Sequence, residues 1–436
     1  MIIRFRRLTV LAALVIAASA ASAVTPAAAQ NLPAAAPPPV ADSETASAAA
    51  TTTATTSTKD VGDLWRHLRH KPQSSEQIAA SQSPKKPFFF LSPSISSKPS
   101  TGFSAGVASS VVFVAGDAAT TRISSGDWSV SDSVKGQAGT GMRFRIFTPD
   151  NRWFLQGDNR LAWSSLNTYT LGIVSNATPE KLKYNRFRIY DTAFRQVKPR
   201  VFAGVGLNIN EHGDIRAGSG TDAAFDRSAY VAYTKHHGFP LDRQLSSGTN
   251  VGMFVDTRDN AINASKGWLA AATYRTFFDG FLGGNATWQL LEADVRTYKT
   301  LDQAGRHKLA FWTLGEFVTG GVAPYLDLPA IADDTYGRSG RGYTSGRYRG
   351  PHLLYGEVEY RVTLTSNGFF GAVGFANATA IDGEGSNQQL LGTLAPAAGG
   401  GLRVLLSKRS KANFCVDYGW GREGSRGLYL AVRETF

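Results

Sequence analysis

The sequence predicts an all-β chain: a transmembrane antiparallel β-barrel of about sixteen strands, preceded by a disordered N-terminal tail. Three observations carry this. From Pro87 to Phe436 the chain is a succession of short alternating runs separated by turn residues. The composition, with 45 Gly, 25 Phe, 15 Tyr and 8 Trp but only 18% charged residues, is lean in charge for an exported soluble domain and suits a barrel with aromatic girdles. Beyond the N-terminal segment, no stretch offers the roughly 20 consecutive apolar residues that a spanning helix needs, so strands must do the crossing.

Residues 1–29 have the plan of a signal peptide. Arg4, Arg6 and Arg7 precede an apolar run from Leu8 to Ala21, and small residues follow, with cleavage sites at Ala27-Ala28-Ala29 or Ala21-Ser22-Ala23. Arg6-Arg7 also suits twin-arginine export, but that route carries folded cargo and a barrel must cross unfolded, so ordinary secretion is expected. The predicted destination is the bacterial outer membrane. Residues 30–86 are rich in Ala, Pro, Ser and Thr and cannot bury a core, which predicts a disordered periplasmic tail. Within it Leu64, Trp65 and Leu68 stand at helical spacing. They predict a short amphipathic helix over 61–70, whether as a lumen plug or on a surface.

The barrel domain is 87–436, with predicted strands at 88–96, 102–115, 120–131, 134–147, 152–164, 185–196, 199–210, 247–256, 268–278, 285–299, 306–318, 351–363, 369–380, 399–407, 411–420 and 427–436. A count of fourteen is the alternative. Tight turns at Pro149-Asp150-Asn151, Lys198-Pro199 and Ser366-Asn367-Gly368 all follow even-numbered strands, whereas the long connections 211–246, 319–350 and 381–398 all follow odd-numbered ones. With both ends in the periplasm, that parity puts tight turns inside and long loops outside.

The stretch 319–362 is the most informative. Its Gly-rich first part carries Arg338, Arg341, Arg347 and Arg349 without periodicity, and predicts a loop. Its second part alternates Leu354, Val358, Tyr360 and Val362 against Glu357, Glu359 and Arg361, the pattern of a strand with a lipid face and a charged lumen face. The last run places Leu428, Leu430, Val432 and Phe436 on one parity, interrupted by Glu434, and a terminal aromatic on such a strand predicts the outer-membrane sorting signal. Lone Cys415 shares parity with Asp417 and is expected to be a small lumen-facing residue.

Several runs resemble the bacterial surface antigen family, the barrel shared by outer-membrane assembly factors of BamA and TamA type and by two-partner secretion transporters. Asp256-Thr257-Arg258-Asp259-Asn260, followed by Gly267, resembles the family's D-x-R-D-N and later Gly at a periplasmic turn. Arg341-Gly342-Tyr343 resembles the R-G-[FY] tip of its sixth outer loop, Glu357 to Arg361 the strand that follows, and Asp417 to Gly421 with Leu428 to Phe436 its ending. The resemblance implies that Arg341 folds into the lumen and pairs with strand thirteen, where the family's F-x-D-x-G stands as Phe375-Ala376-Asn377-Ala378-Thr379. With Asn377 in place of the carboxylate, Arg341 is expected either to donate to the amide or to recruit Glu357, Glu359 or Asp382. Gly340 replaces the hydrophobic residue that usually precedes R-G-Y. The polypeptide-transport-associated domains that precede the barrel in the family are not matched by the polar tract 30–86.

Other motifs carry less. Gly102-Phe103-Ser104-Ala105-Gly106 spells the nucleophile elbow, but VASSVVFV follows where the elbow needs a helix. His236-His237 lies in a loop near Asp242 without a third ligand at fixed spacing, so surface histidines are expected rather than a metal site. No cofactor or catalytic constellation is predicted. The net charge of +12 predicts contact with anionic lipid or solutes. Expected partners are outer-membrane lipid, the assembly machinery during biogenesis, and a client polypeptide or lipid; nucleic acid is not among them. The function the family resemblance implies is insertion or transport of polypeptide or lipid, with a channel for anionic solutes as the alternative.

Overall fold

Alternating chemistry requires that each strand bury one face and offer the other to lipid, and a closed sheet meets that requirement without exposed edges. The computed structural model describes residues 58–61, 63, 87–98, 102–218, 222–335, 337–384, 388–408, 411–432 and 434–436. The signal segment, most of the 30–86 tract and nearly all of the expected 61–70 helix lie outside the described residues. Among the described residues, sixteen antiparallel strands form one sheet in which each pairs with its sequence neighbours. They are β1 (Phe88–Lys98), β2 (Gly102–Phe113), β3 (Ser124–Ser133), β4 (Ala138–Phe147), β5 (Trp153–Thr168), β6 (Glu180–Lys198), β7 (Val201–Ala217), β8 (Arg243–Asp256), β9 (Gly267–Phe277), β10 (Trp288–Thr300), β11 (His307–Gly321), β12 (His352–Thr363), β13 (Phe370–Ile381), β14 (Leu394–Ser407), β15 (Ala412–Gly421) and β16 (Arg426–Val432). β16 returns beside β1, but among the described residues no hydrogen-bonded ladder joins the two.

Every predicted run is a strand, with shifts that have local causes. β3 begins four residues later than expected because Thr120 and Thr121 donate their N–H groups to the Asp117 carbonyl and close a turn. β16 ends at Val432 rather than Phe436, and the last residues leave the wall. The long connection 218–242 carries two helices that the sequence reading did not propose, α1 (Asp222–Asp226) and α2 (Ala229–His236). Ser228 caps α2 by accepting from the Val231 N–H at 3.3 Å, and Tyr230, Val231, Tyr233 and Thr234 bury its inner face. None of the described helices is long and apolar enough to cross a membrane.

The wall is apolar outside and charged inside. On β12, Val358 and Tyr360 are exposed while Glu357, Glu359 and Arg361 are buried, so a chain left in water would present a wide apolar belt. Trp153, Trp268 and Phe370 stand exposed at the first residues of β5, β9 and β13 or next to them, and Trp420 near the opposite end of β15, as expected of interfacial girdles. Cys415 and Asp417 are both buried on the lumen parity of β15.

The lumen is filled. At the short-turn end Phe147, Phe154, Phe194, Phe202 and Phe254 pack with Leu269. Phe154 stacks on Phe147 at 4.5 Å between ring centroids. At the long-loop end Phe277, Trp288 and Tyr325 pack with Tyr230, Val231 and Tyr233 of α2. Also at the short-turn end, Arg306, Lys308, Arg361, Arg403, Lys408 and Lys411 line a cavity of about 300 Å³. Within the tract expected to be a structureless tail, residues 58–61 and 63 sit on that rim. Lys59 donates its N–H to the Asn367 carbonyl, and Lys408 donates to Asp60 through its backbone and to Asp63 through its ammonium. A carboxylate pair against a basic rim is reason for this piece to dock.

Candidate functional site: the inward loop and its lock

The connection 322–351 folds into the barrel, and its four arginines have four different duties. Arg341 is buried among carboxylates. Its Nη2 donates to Glu357 Oε1 and Glu359 Oε2, both at 2.5 Å, and its Nη1 to Asp417 Oδ2 at 2.7 Å. The guanidinium lies 3.6 Å over the Phe375 ring. Arg338 donates to the Val432, Glu434 and Thr435 carbonyls. Arg349 donates to the Tyr325 and Leu328 carbonyls within its own loop. Arg347 reaches the outer rim, donating to the Val174 carbonyl at 3.3 Å and to Glu423 at 3.1 Å.

A buried charge requires partners, and the lock supplies them in a chain. Arg361 donates to Glu359 at 2.5 Å, and Arg403 pairs with Asp417 and with Glu434, the latter at 2.7 Å. Three guanidiniums thus face four carboxylates, all buried. Tyr355 adds a hydroxyl to Glu357 at 2.5 Å. The wall makes room for these groups: a Cβ on Gly401, opposite Asp417 in the β14–β15 register, would stand 1.9 Å from the Asp417 carboxylate.

Backbone geometry seats the tip. Gly342, at φ 109°, donates its N–H to the Tyr429 hydroxyl at 2.8 Å, and Tyr429 donates in turn to the Tyr343 carbonyl. Tyr343 donates to the Pro396 carbonyl at 2.5 Å and accepts from the Arg422 N–H. A Cβ on Gly419 would come within 2.9 Å of the Gly342 nitrogen, so the loop tip approaches β15 at backbone distance. At Gly340, where the resembled family has a hydrophobic residue, a Cβ would lie 2.1 Å from the Ile331 side chain. Ile331, from the same loop, fills that space.

Of the partners expected for Arg341, Glu357 and Glu359 receive the guanidinium, and the amide and Asp382 do not. Asn377 does not receive the guanidinium; its Nδ2 donates to the Arg341 carbonyl at 3.1 Å and to Glu357 Oε2 at 3.3 Å. Being a donor suits it to the carboxylate-rich side of the lock, directly across from Glu357 in the β12–β13 register. Asp382 stays at the rim, where it accepts from the N–H and ring of His352. The partner the sequence reading missed is Asp417, whose signal was its lumen parity with Cys415.

The C-terminal residues also depart from expectation. Leu430 and Val432 belong to β16, with Val432 exposed, but Phe436 is buried inside. It packs on Trp312 at 5.4 Å and under Arg361 at 5.4 Å, and its carbonyl accepts from Arg361 at 2.9 Å. Glu434, bonded to Arg403 and Asn413, draws the tail inward.

At the same short-turn end lies the β8–β9 turn motif, which Arg122 joins at Asp256 and Lys411 at Asp259. Asp256 accepts the Arg258 side chain at 2.9 and 3.0 Å, Asp259 accepts from Ser265 and Lys266, and Asn260 accepts from the Ile262 and Asn263 N–H groups. Burial alone would raise the Asp259 carboxyl, but these hydrogen bonds and Lys411 hold it below its ordinary range. Gly267, at φ 93°, closes the turn where a Cβ would stand 2.4 Å from the Thr257 carbonyl. Ser104 lies within β2 with strand on both sides, which is not the elbow geometry.

No family model matches the chain, and no curated protein does. Solved structures do resemble it. BamA from Haemophilus ducreyi lacking POTRA domains 1–3 is similar at a TM-score of 0.50 and 12% identity, over 80% of this chain and 69% of that one. CdiB from Acinetobacter baumannii is similar at 0.50 and 13%, over 80% of this chain and 59% of that one, and CdiB from Escherichia coli at 0.50 and 10%, over 79% and 62%. The chain spans less than two thirds of either CdiB chain. At such identities the likeness is one of fold: this chain has a barrel of the kind seen in BamA and CdiB.

Proposed function

We propose that the chain is a non-enzymatic outer-membrane barrel of the bacterial surface antigen type, acting in insertion or transport of polypeptide or lipid. The observation that carries this is the placement of the loop tip. Arg341 anchors it in the lumen, and Tyr429 bonds the same tip to β16, the strand beside the unladdered seam with β1. A seam whose backbone donors and acceptors are not zipped among the described residues offers an edge to another chain or to lipid, by the physics of strand addition. The apolar belt supports residence in lipid, and the leader expected over residues 1–29 supports export.

A channel for anionic solutes is the second reading, favoured by the net charge of +12, although the lumenal cavity sets Arg143, Arg145, Arg188 and Arg275 among carboxylates such as Asp158, Glu292, Asp294 and Glu316. Planar-bilayer conductance of the purified chain tests the two. The proposal expects a mostly closed, flickering pore whose open fraction rises in Arg341→Ala. A steady, large, anion-selective conductance in the unaltered chain supports the channel and overturns the proposal.

A further inference from the structure

We propose that His236, His237 and Glu384 form a transition-metal site that clamps two outer-mouth loops together. The adjacent histidines and the distant Glu384 come from two connections, 218–242 and 382–393. His237 Nε2 lies 2.7 Å from Glu384 Oε1, and one potential ligand atom from each of the three residues lies within 4.8 Å of the others. Ligands of a tetrahedral Zn²⁺ at bonds of roughly 2.0–2.1 Å stand about 3.4 Å apart, so small side-chain rotations close the set. Two imidazoles and one carboxylate, with water in the fourth position, suit Zn²⁺ and also Cu²⁺ or Ni²⁺.

The carriers are held firmly. Tyr233 packs on the His237 ring at 4.4 Å and donates its hydroxyl to the Ala323 carbonyl, while Tyr230 donates to the Leu241 carbonyl. The two rings stand 4.7 Å apart and nearly perpendicular, at 79°. On the other loop, Gly383 bridges to Gln388, and the Gln388 side chain exchanges hydrogen bonds with the Ile173 backbone at 2.8 and 3.1 Å. A shared ion therefore ties α2, which rests on the first residues of the inward loop, to the β13–β14 connection.

A simple ion pair between His237 and Glu384 explains the 2.7 Å contact but gives His236 no part. The test exploits this. The chain is purified from membranes without an affinity tag, carrying His67→Ala and His70→Ala to remove the other closely spaced histidines, and titrated with Co²⁺ by visible absorption and with Zn²⁺ by calorimetry. One saturable site is expected, weakened at least about tenfold in His236→Ala, His237→Ala and Glu384→Ala. Zn²⁺ should also slow proteolysis within 382–393. His236→Gln serves if the alanine variant fails to fold, judged by heat-modifiable migration. No saturable site, or a His236 variant that binds like the parent, overturns the proposal.

Discussion

Two regions of this barrel interior solve the same problem with opposite chemistry. Under β4–β9 the short-turn end is closed by five phenylalanines, Phe154 at their centre, with Arg145 5.0 Å over Phe254 as the nearest cation. Between β12 and β16 the lumen holds Arg341, Arg361 and Arg403 against Glu357, Glu359, Asp417 and Glu434. The aromatic floor is stabilised by burial, which is non-directional and tolerant of nearby change. The charged lock is stable only while every member is present, because each ion has been taken from water. A floor suits a permanent seal; a lock suits a loop that is held but releasable.

Arg341→Ala should have the largest effect. It leaves three buried carboxylates short of a cation and should cost about 3–5 kcal/mol, read as a lower midpoint for loss of heat-modifiable migration, with raised protease access to 338–349. Phe154→Ala comes next, at about 3–4 kcal/mol for a large cavity among rings, but it should leave loop protease access unchanged. If Phe154→Ala freed the loop as well, the two regions would be one cooperative unit and the comparison would fail.

Asn377→Asp sharpens the lock itself. By analogy with the family's carboxylate a tighter lock is expected, but the geometry reverses the sign: the amide donates to the Arg341 carbonyl and to Glu357, and a carboxylate can do neither while charged. The variant should lose about 1–3 kcal/mol, measured by the same thermal shift. A gain would mean that Arg341 reorients to meet the new charge.

The outer part of the loop adds a pH dependence that the floor lacks. Burial alone would raise the Asp333 carboxyl, but the Arg186 and Arg188 guanidiniums hold it below the usual range, with Arg186 at 2.9 Å. A depressed carboxyl contributes fully above its ordinary value of about 4 and loses that contribution as pH falls through its lowered value. Proteolysis of the loop should therefore rise as pH falls below about 4, and Asp333→Asn should show the looser behaviour already at neutral pH with a flatter acid response.

What the sequence disclosed divides along the same line. Strand places were legible because alternation is local, and so were Arg341, Glu357 and Glu359, since parity alone puts the two glutamates inside. The partners were not. Asp417 lies 76 positions from Arg341 and Glu384 lies 147 from His237, and nothing local encodes either meeting. Phe436 was misplaced for a related reason: Leu430, Val432 and Phe436 alternate like a strand, and it is partners distant in sequence, Arg361, Arg403 and Trp312 among them, that show the tail turning inward. Helix α2 was more accessible, since Ser228 followed by apolar residues at helical spacing is a start signal.

Arg347→Ala should have the smallest effect, and it tests whether position or mere charge matters in the loop. Arg347 has partners in number: the Val174 carbonyl, Glu423, and the rings of Tyr169 at 4.5 Å and Tyr348 at 4.8 Å. But Glu423 is partly exposed at 27%, so water can replace much of what the pair provides, and the cost should stay below about 1 kcal/mol. Its three carboxylate-bound counterpart, Arg341, has no such substitute. Measured side by side, the two variants should differ severalfold in loop protease access, and raising salt should weaken the Arg347 contribution while leaving that of Arg341 nearly unchanged. Equal effects, or equal salt dependence, would mean that the loop is held by general attraction between a basic segment and an acidic wall, and the distinction between lock and rim would have to be abandoned.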